Sequence, residues 1–269
     1  MSAPEFLCSS YRYFTRASVS DVQTIIDDFK SETVTHGGWT EVSTGLYKSP
    51  PDDLNRWFDI LLTKITAQKL EWRVRDPNGV TICTRRINLP STTTWSVFIY
   101  TGQFHAIIDV DPGALAFETL QAGILDLSPE AQNIHAHYVY GTGSRSTADS
   151  LDNNGTYGCL YLIDNVTPAA ANRVSMFMGG GSTNVGVRTL NGSRVYRVRE
   201  VWGYPAGTSS GNQKFAGRCY QQILLDGFVT IGAEFLVPID TGLSAKFKVT
   251  GISAQSGYTT YWRTAVRIA

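Results

Sequence analysis

The stretch from Trp57 to Pro90, WFDILLTKITAQKLEWRVRDPNGVTICTRRINLP, constrains the fold more than any other. Its middle part alternates, with Leu70, Trp72 and Val74 on one side of the chain and Glu71, Arg73 and Arg75 on the other. A period of two is the mark of a strand with one buried face. Asp76-Pro77-Asn78-Gly79 follows and suits a tight reversal, because Pro presets its own φ and Asn and Gly accept positive φ. Val80, Ile82 and Thr84 then resume an alternation. The segment therefore predicts three consecutive antiparallel strands, one face apolar and one face charged. Such a meander is a scaffold and carries no chemistry of its own.

Around it the chain reads as mainly β: an antiparallel, β-sandwich-like body with one short N-terminal amphipathic helix. Val22, Ile25, Ile26 and Phe29 recur at helical spacing, Ser18 or Ser20 is the expected N-cap, and His36-Gly37-Gly38 is the expected end. A helix this short needs a sheet to lie on. We expect a short strand within 39–48 and a hairpin from 95–100 and 104–110. Further strands are expected at 156–164, 173–178, 184–189, 194–202 and 217–226, with closing strands in 236–252 and 258–268. Residues 114–127 read as a short helix or edge followed by strand. We divide the chain into 1–110, helix plus meander, and 111–269, a β-rich remainder, with one continuous domain as the alternative.

At 269 residues the chain can bury a substantial core. Its 23 basic and 23 acidic residues cancel, which removes any global field for nucleic acid or an anionic membrane. No apolar run approaches the roughly 20 residues of a membrane-spanning helix. MSAPEFLCSSYRYF lacks a basic segment followed by a long apolar one, so no signal peptide is expected and synthesis is expected in the cytosol. Cys8, Cys83, Cys159 and Cys219 are far apart and form no CxxC pair, so they read as small apolar residues.

The chemical motifs are weak. Gly207-Thr208-Ser209-Ser210-Gly211 matches GxSxG, but no strand feeds it and no helix leaves it, as a nucleophile elbow requires. Gly179-Gly180-Gly181-Ser182 lacks the Lys of a P-loop and reads as a turn. His135 and His137 would need a third ligand, such as Cys159 or Asp164, to bind metal. Acidic pairs such as Asp109/Asp111 and Asp126/Glu130 qualify as a glycosidase dyad only by their spacing in three dimensions. Sequons at Asn154, Asn165 and Asn191 matter only in a secreted protein. We assign no catalytic, cofactor or metal residue and expect no cofactor. The charged set of interest is Arg73, Arg75, Arg85 and Arg86, read as the outward face of the meander: either a solvated face that resists edge pairing or a subunit contact, where Arg is enriched. The aromatics Tyr138, Tyr140, Trp202 and Tyr204, with the 138–155 loop, are further contact candidates.

Several phrases resemble the virion structural proteins of tailed bacteriophages. They are Trp57–Leu89, with LEWRVRDPNG and TICTRRI, then Tyr100-Thr101-Gly102-Gln103-Phe104-His105 and Ser128-Pro129-Glu130-Ala131-Gln132-Asn133. Tyr138-Val139-Tyr140-Gly141 and Val237-Pro238-Ile239-Asp240 follow. The resemblance spans residues 20 to 265. It implies a non-enzymatic component of the tail, baseplate or neck, located in the virion after synthesis in the host cytoplasm. Its partners would be other virion proteins and further copies of itself, with no nucleic acid and no membrane span. The family brings no catalytic residues. Two other classes stay open: a host-surface or carbohydrate-binding module, which would bind cells or glycans alone, and an enzyme such as a depolymerase or peptidase, which needs converging carboxylates or a Ser/His/Asp group. A neck, collar or head position is the alternative within the particle. On this reading, replacing Arg73 and Arg75 with Glu should spare the fold and weaken assembly.

Overall fold

The structure is a computed structural model. It describes residues 10–51, 55, 57–75, 77–79, 81–89, 93–101, 106–110, 118–124, 137–142, 158–163, 174–175, 188–190, 193–203, 214–225, 229–240, 243–253 and 262–269. The described chain is mainly β and antiparallel, with one α-helix, as the alternation predicts.

The described strands form three sheets. The first contains β1 (Ser10–Val19), β7 (Thr93–Thr101), β8 (Ala106–Val110), β9 (Glu118–Ile124), β10 (His137–Thr142) and β11 (Gly158–Ile163), in that order. The second is the meander with its leading hairpin: β2 (Thr40–Ser43), β3 (Leu46–Lys48), β4 (Asp59–Thr66), β5 (Lys69–Arg75) and β6 (Thr81–Asn88). The third runs β12 (Val174–Ser175), β14 (Ser193–Gly203), β15 (Lys214–Leu225), β18 (Trp262–Arg267), β17 (Leu243–Ser253) and β16 (Glu234–Asp240), with β13 (Arg188–Leu190) beside β14. The expected single strand within 39–48 is a hairpin, β2–β3, and the expected 236–252 strand is the hairpin β16–β17. Gly45 turns the first of these at φ +77°, where a Cβ would stand 2.6 Å from the Leu62 carbonyl oxygen. β8 and β9, on either side of the 110/111 division, pair directly from Ala106↔Ala122 to Val110↔Glu118, so one sheet crosses it.

Helix α1 (Val22–Lys30) fills the space between the first two sheets. Its N-cap is Asp21, whose carboxylate accepts from the Gln23 amide at 2.7 Å and from Lys64 Nζ at 2.9 Å. Neither Ser18 nor Ser20 takes that role; Ser18 turns the chain at φ 59° instead. The helix continues past Lys30 as a π-helical turn, Ser31–Thr35, and Gly38, at φ +74°, lies beyond it. Val22, Ile25 and Phe29 are fully buried. They pack in one cluster with Tyr47, Ile60, Leu70, Trp72 and Val74 from the second sheet and Trp95, Val97 and Ile99 from the first. Phe29 meets Trp39, Tyr47 and Trp72 edge-on, the geometry favoured by ring quadrupoles. Burying each large aromatic contributes on the order of 3 kcal/mol of transfer free energy.

Strand β7 is buried on both sides. Trp95, Val97 and Ile99 face the helix cluster, while Phe98 and Tyr100 point the other way and are also buried. On that second side Tyr13 stacks on Phe98 at 4.9 Å. The third sheet reaches the same layer through Lys248, whose ammonium lies 4.8 Å from the Tyr13 ring centre. The third sheet also holds its own cluster of Ile223, Leu225, Val237, Ala245, Phe247, Val249 and Ala265.

Candidate functional site

The charged face of the meander is built around a carboxylate. Glu71 is only 2% exposed although its neighbours in sequence alternate correctly. Cross-strand pairing sets Glu71 opposite Arg86, and Arg86 Nε donates to Glu71 Oε2 at 2.8 Å. Arg73, two residues along the same strand and therefore on the same face, pairs its Nη2 with Glu71 Oε1. One buried carboxylate thus holds two guanidinium groups, and the arginines rather than water solvate it. Arg75 is anchored separately: its Nε donates to the Gly79 carbonyl at 3.0 Å, closing the reversal from inside. Gly79 sits at φ +79° under that guanidinium, and a Cβ there would meet Arg75 Nη2 at 2.5 Å. Lys48, at the end of β3, lies 3.7 Å over the Trp57 ring.

The four arginines do not share one face. Directly opposite residues in an antiparallel ladder point the same way. Arg73 stands opposite Thr84 and Glu71 opposite Arg86, but Trp72 stands opposite Arg85 and Leu70 opposite buried Ile87. Arg85 therefore belongs to the Trp72 side. Consecutive residues of a strand face opposite ways, so Arg85 and Arg86 never share a face. Which of the two joins Glu71 is set by a register shift between Val74↔Cys83 and Arg75↔Thr81, where β6 carries an extra residue. The Val80-Ile82-Thr84 alternation does not see this extra residue.

Three of the aromatic candidates lie on other sheets. Tyr138 and Tyr140 are in β10, opposite Leu162 and Leu160 of β11. Trp202 is in β14, opposite Ser175 and Phe215. Tyr204 lies outside the described residues, as do most of the 138–155 loop, the GxSxG stretch 207–211, Gly179–Ser182, His135, Asp111, Asp126, Glu130, Asp164 and the three sequon asparagines. The chain does bring β6, which carries Arg85 and Arg86, within 8 Å (Cα to Cα) of β10, which carries Tyr138 and Tyr140. His137 and Cys159 are poorly placed to share a metal: Cys159 pairs with Gly141, four residues along β10 from His137, or about 13 Å at the usual strand rise. Among the described residues no group of three or more His, Cys, Asp or Glu side chains is placed to hold a metal ion.

A second buried ionic cluster, which the alternation does not reveal, fastens β1 to the helix. Asp28, 8% exposed, accepts from Arg16 Nε at 2.5 Å, Arg16 Nη2 at 2.6 Å and Trp95 Nε1 at 3.1 Å. Glu32, in the π-turn, pairs with Arg12. The hydrogen bond and the charge of Asp28 hold the Arg16 guanidinium above its ordinary pKa. The helical spacing of Asp28 beside Val22–Phe29 carries a hint of it, since a carboxylate next to an apolar stripe requires a partner. No helix of the described residues is long and apolar enough to cross a membrane. No protein-family model matches this chain, and no curated protein matches its sequence.

Proposed function

We propose that this chain is a non-enzymatic structural component of a tailed-phage particle, in the tail, baseplate or neck, that assembles with further copies of itself and with other virion proteins. What carries the reading is the Trp57–Leu89 segment. It holds the longest of the phage-like phrases, and it folds as a meander that presents ordered arginines. Free arginine side chains lose rotamer freedom when they dock. Arg73 and Arg86 are already tied to Glu71, and Arg75 to the Gly79 carbonyl, so contact through this face would cost less ordering. Arg is also enriched in the cores of protein interfaces.

The test is mass spectrometry of purified particles, followed by incorporation of an Arg75→Ala variant. The expected results are a stoichiometric band of this chain in intact particles and reduced incorporation of the variant. Complete absence of the chain from particles sinks the virion reading. Undiminished incorporation of the variant returns the arginine face to solvent.

A further inference from the structure

Among the described residues β16 ends the third sheet, with a paired neighbour on one side only. An open edge strand is a template for a further strand. Which backbone groups it offers follows from the hydrogen bonds of β17. The Lys246 amide and carbonyl bond Ala269 and Ile268, on the β18 side. The Val249 amide bonds the Ala233 carbonyl, and the Val249 carbonyl accepts from Gly232, on the β16 side. Backbone groups alternate along a strand, so Ala245 and Phe247 also point to β16. Their partners are Val237 and Phe235. The amides of Phe235 and Val237 are therefore used inside the sheet, and the outward positions are Glu234, Leu236 and Pro238.

Pro238 thus occupies an outward position, where its ring nitrogen has no hydrogen to give. It stands opposite Ser244 at a site where the β16–β17 ladder needs no amide, so it costs the sheet nothing and removes a donor only from the edge. A register shift follows at once between Pro238 and Asp240 and bends the strand. The exposed face beside the edge carries charge: Glu234 pairs with Lys246 Nζ at 2.6 Å and Lys248 Nζ at 3.4 Å. Between them lies Leu236, 62% exposed, the most exposed large apolar side chain among the described residues. Without a guard, two β16 strands would meet antiparallel about a two-fold axis at Leu236, pairing 236 with 236 and 234 with 238 and covering both leucines.

We infer that β16 is a guarded edge: Pro238, with the Glu234–Lys246–Lys248 cluster, prevents a second copy of this chain from adding a strand at Leu236. The inference does not depend on the proposed function. If copies do assemble, they do so through other surfaces.

Two measurements test it. In the unaltered protein, amide hydrogen exchange should show Leu236 at least tenfold faster than Phe235 and Val237, at every protein concentration. Protection of Leu236 equal to that of its neighbours, or protection that grows with concentration, overturns the proposal. In Pro238→Val, sedimentation velocity should show a concentration-dependent species of twice the parent mass, and Leu236 should gain at least tenfold protection. A folded Pro238→Val with unchanged mass and exchange overturns it. If that variant does not fold, Glu234→Val combined with Lys248→Val removes the charged half of the guard. That variant must also raise self-association, and no rise overturns the proposal.

Discussion

The Tyr100 hydroxyl donates to the Arg267 carbonyl at 2.9 Å, joining the first and third sheets across 167 residues of sequence. The tyrosine is 1% exposed, so its hydroxyl was taken fully out of water and depends on protein partners. Tyr100→Phe keeps the ring and deletes the bond. We expect a loss of roughly 1 kcal/mol in urea unfolding with an unchanged m-value. Stability equal to the parent would mean that this link contributes nothing.

Asp28 tests the fastening of β1. Asp28→Ala leaves the Trp95 indole N–H buried without its acceptor and releases Arg16. The cost should be roughly 2–3 kcal/mol, mostly from the stranded indole donor, since Arg16 is half-exposed and its pairing is screened. Trp95 fluorescence reports the same event. Asp28→Asn, which can still accept from the indole, should recover part of the loss.

Glu71 separates Arg73 from Arg75. Arg73→Glu would set a second carboxylate beside a buried one, so it should destabilise the fold by roughly 2 kcal/mol or more. The expectation that charge reversal at both positions spares the fold therefore holds only for Arg75, whose partner is a backbone carbonyl. Thermal melts of the two single variants should differ by several degrees, with Arg73→Glu the lower. Equal melts would show that Glu71 is not clamped in solution.

Tyr47 gives the alkaline limit. Burial, with smaller contributions from the charges of Glu41 and Asp27, pushes its hydroxyl up to about 12. In the unfolded chain it ionises near 10. Below that pH both states are neutral and the group has no effect on stability. Above it the unfolded state loses its proton first, so stability falls as pH rises from about 10 to 12, by roughly 3 kcal/mol in total. Tyr47→Phe should flatten this part of the stability curve. A loss just as steep in the variant would locate the alkaline transition elsewhere.

Acid has the opposite sign. Lys64 and the Gln23 amide lower the Asp21 pKa, and Lys246 and Lys248 lower that of Glu234. Their stabilisation is present above the ordinary carboxylate range and disappears as pH falls through their depressed values. Both sites are exposed, so added salt should weaken the effect at moderate pH. A salt-insensitive acid midpoint would remove these pairs from the explanation.

The strands and helix were legible because their signals are local. Leu70, Trp72 and Val74 announce a buried face by spacing alone, and Val22, Ile25 and Phe29 do so for the helix. Three things were not legible for the same reason. The cap fell to Asp21, the extended residue directly before Val22, and Lys64, 43 residues away, also reaches it. Arg86 rather than Arg85 joined Glu71 because one residue was absorbed in a bulge that nothing in Val80–Thr84 marks. Glu71 looked solvent-facing because the period assigns faces but says nothing of what covers them. Of the four arginines assigned to one outward face, Arg73 and Arg86 meet at Glu71, and Arg85 lies on the Trp72 side. The sequence had no means to show that β6 approaches β10, which is a matter of how sheets meet.

The doubly buried β7 has a consequence for how such a chain can change over generations. Proteins that trade modules do so at seams where each side keeps a complete interior. Here Trp95 and Val97 belong to one interior and Phe98 and Tyr100 to another, on the same short strand. No cut separates the two without opening both. A recombination that exchanged the C-terminal strands would have to bring its own match for Phe98 and Tyr100, so this architecture should vary by substitution and loop insertion rather than by shuffling.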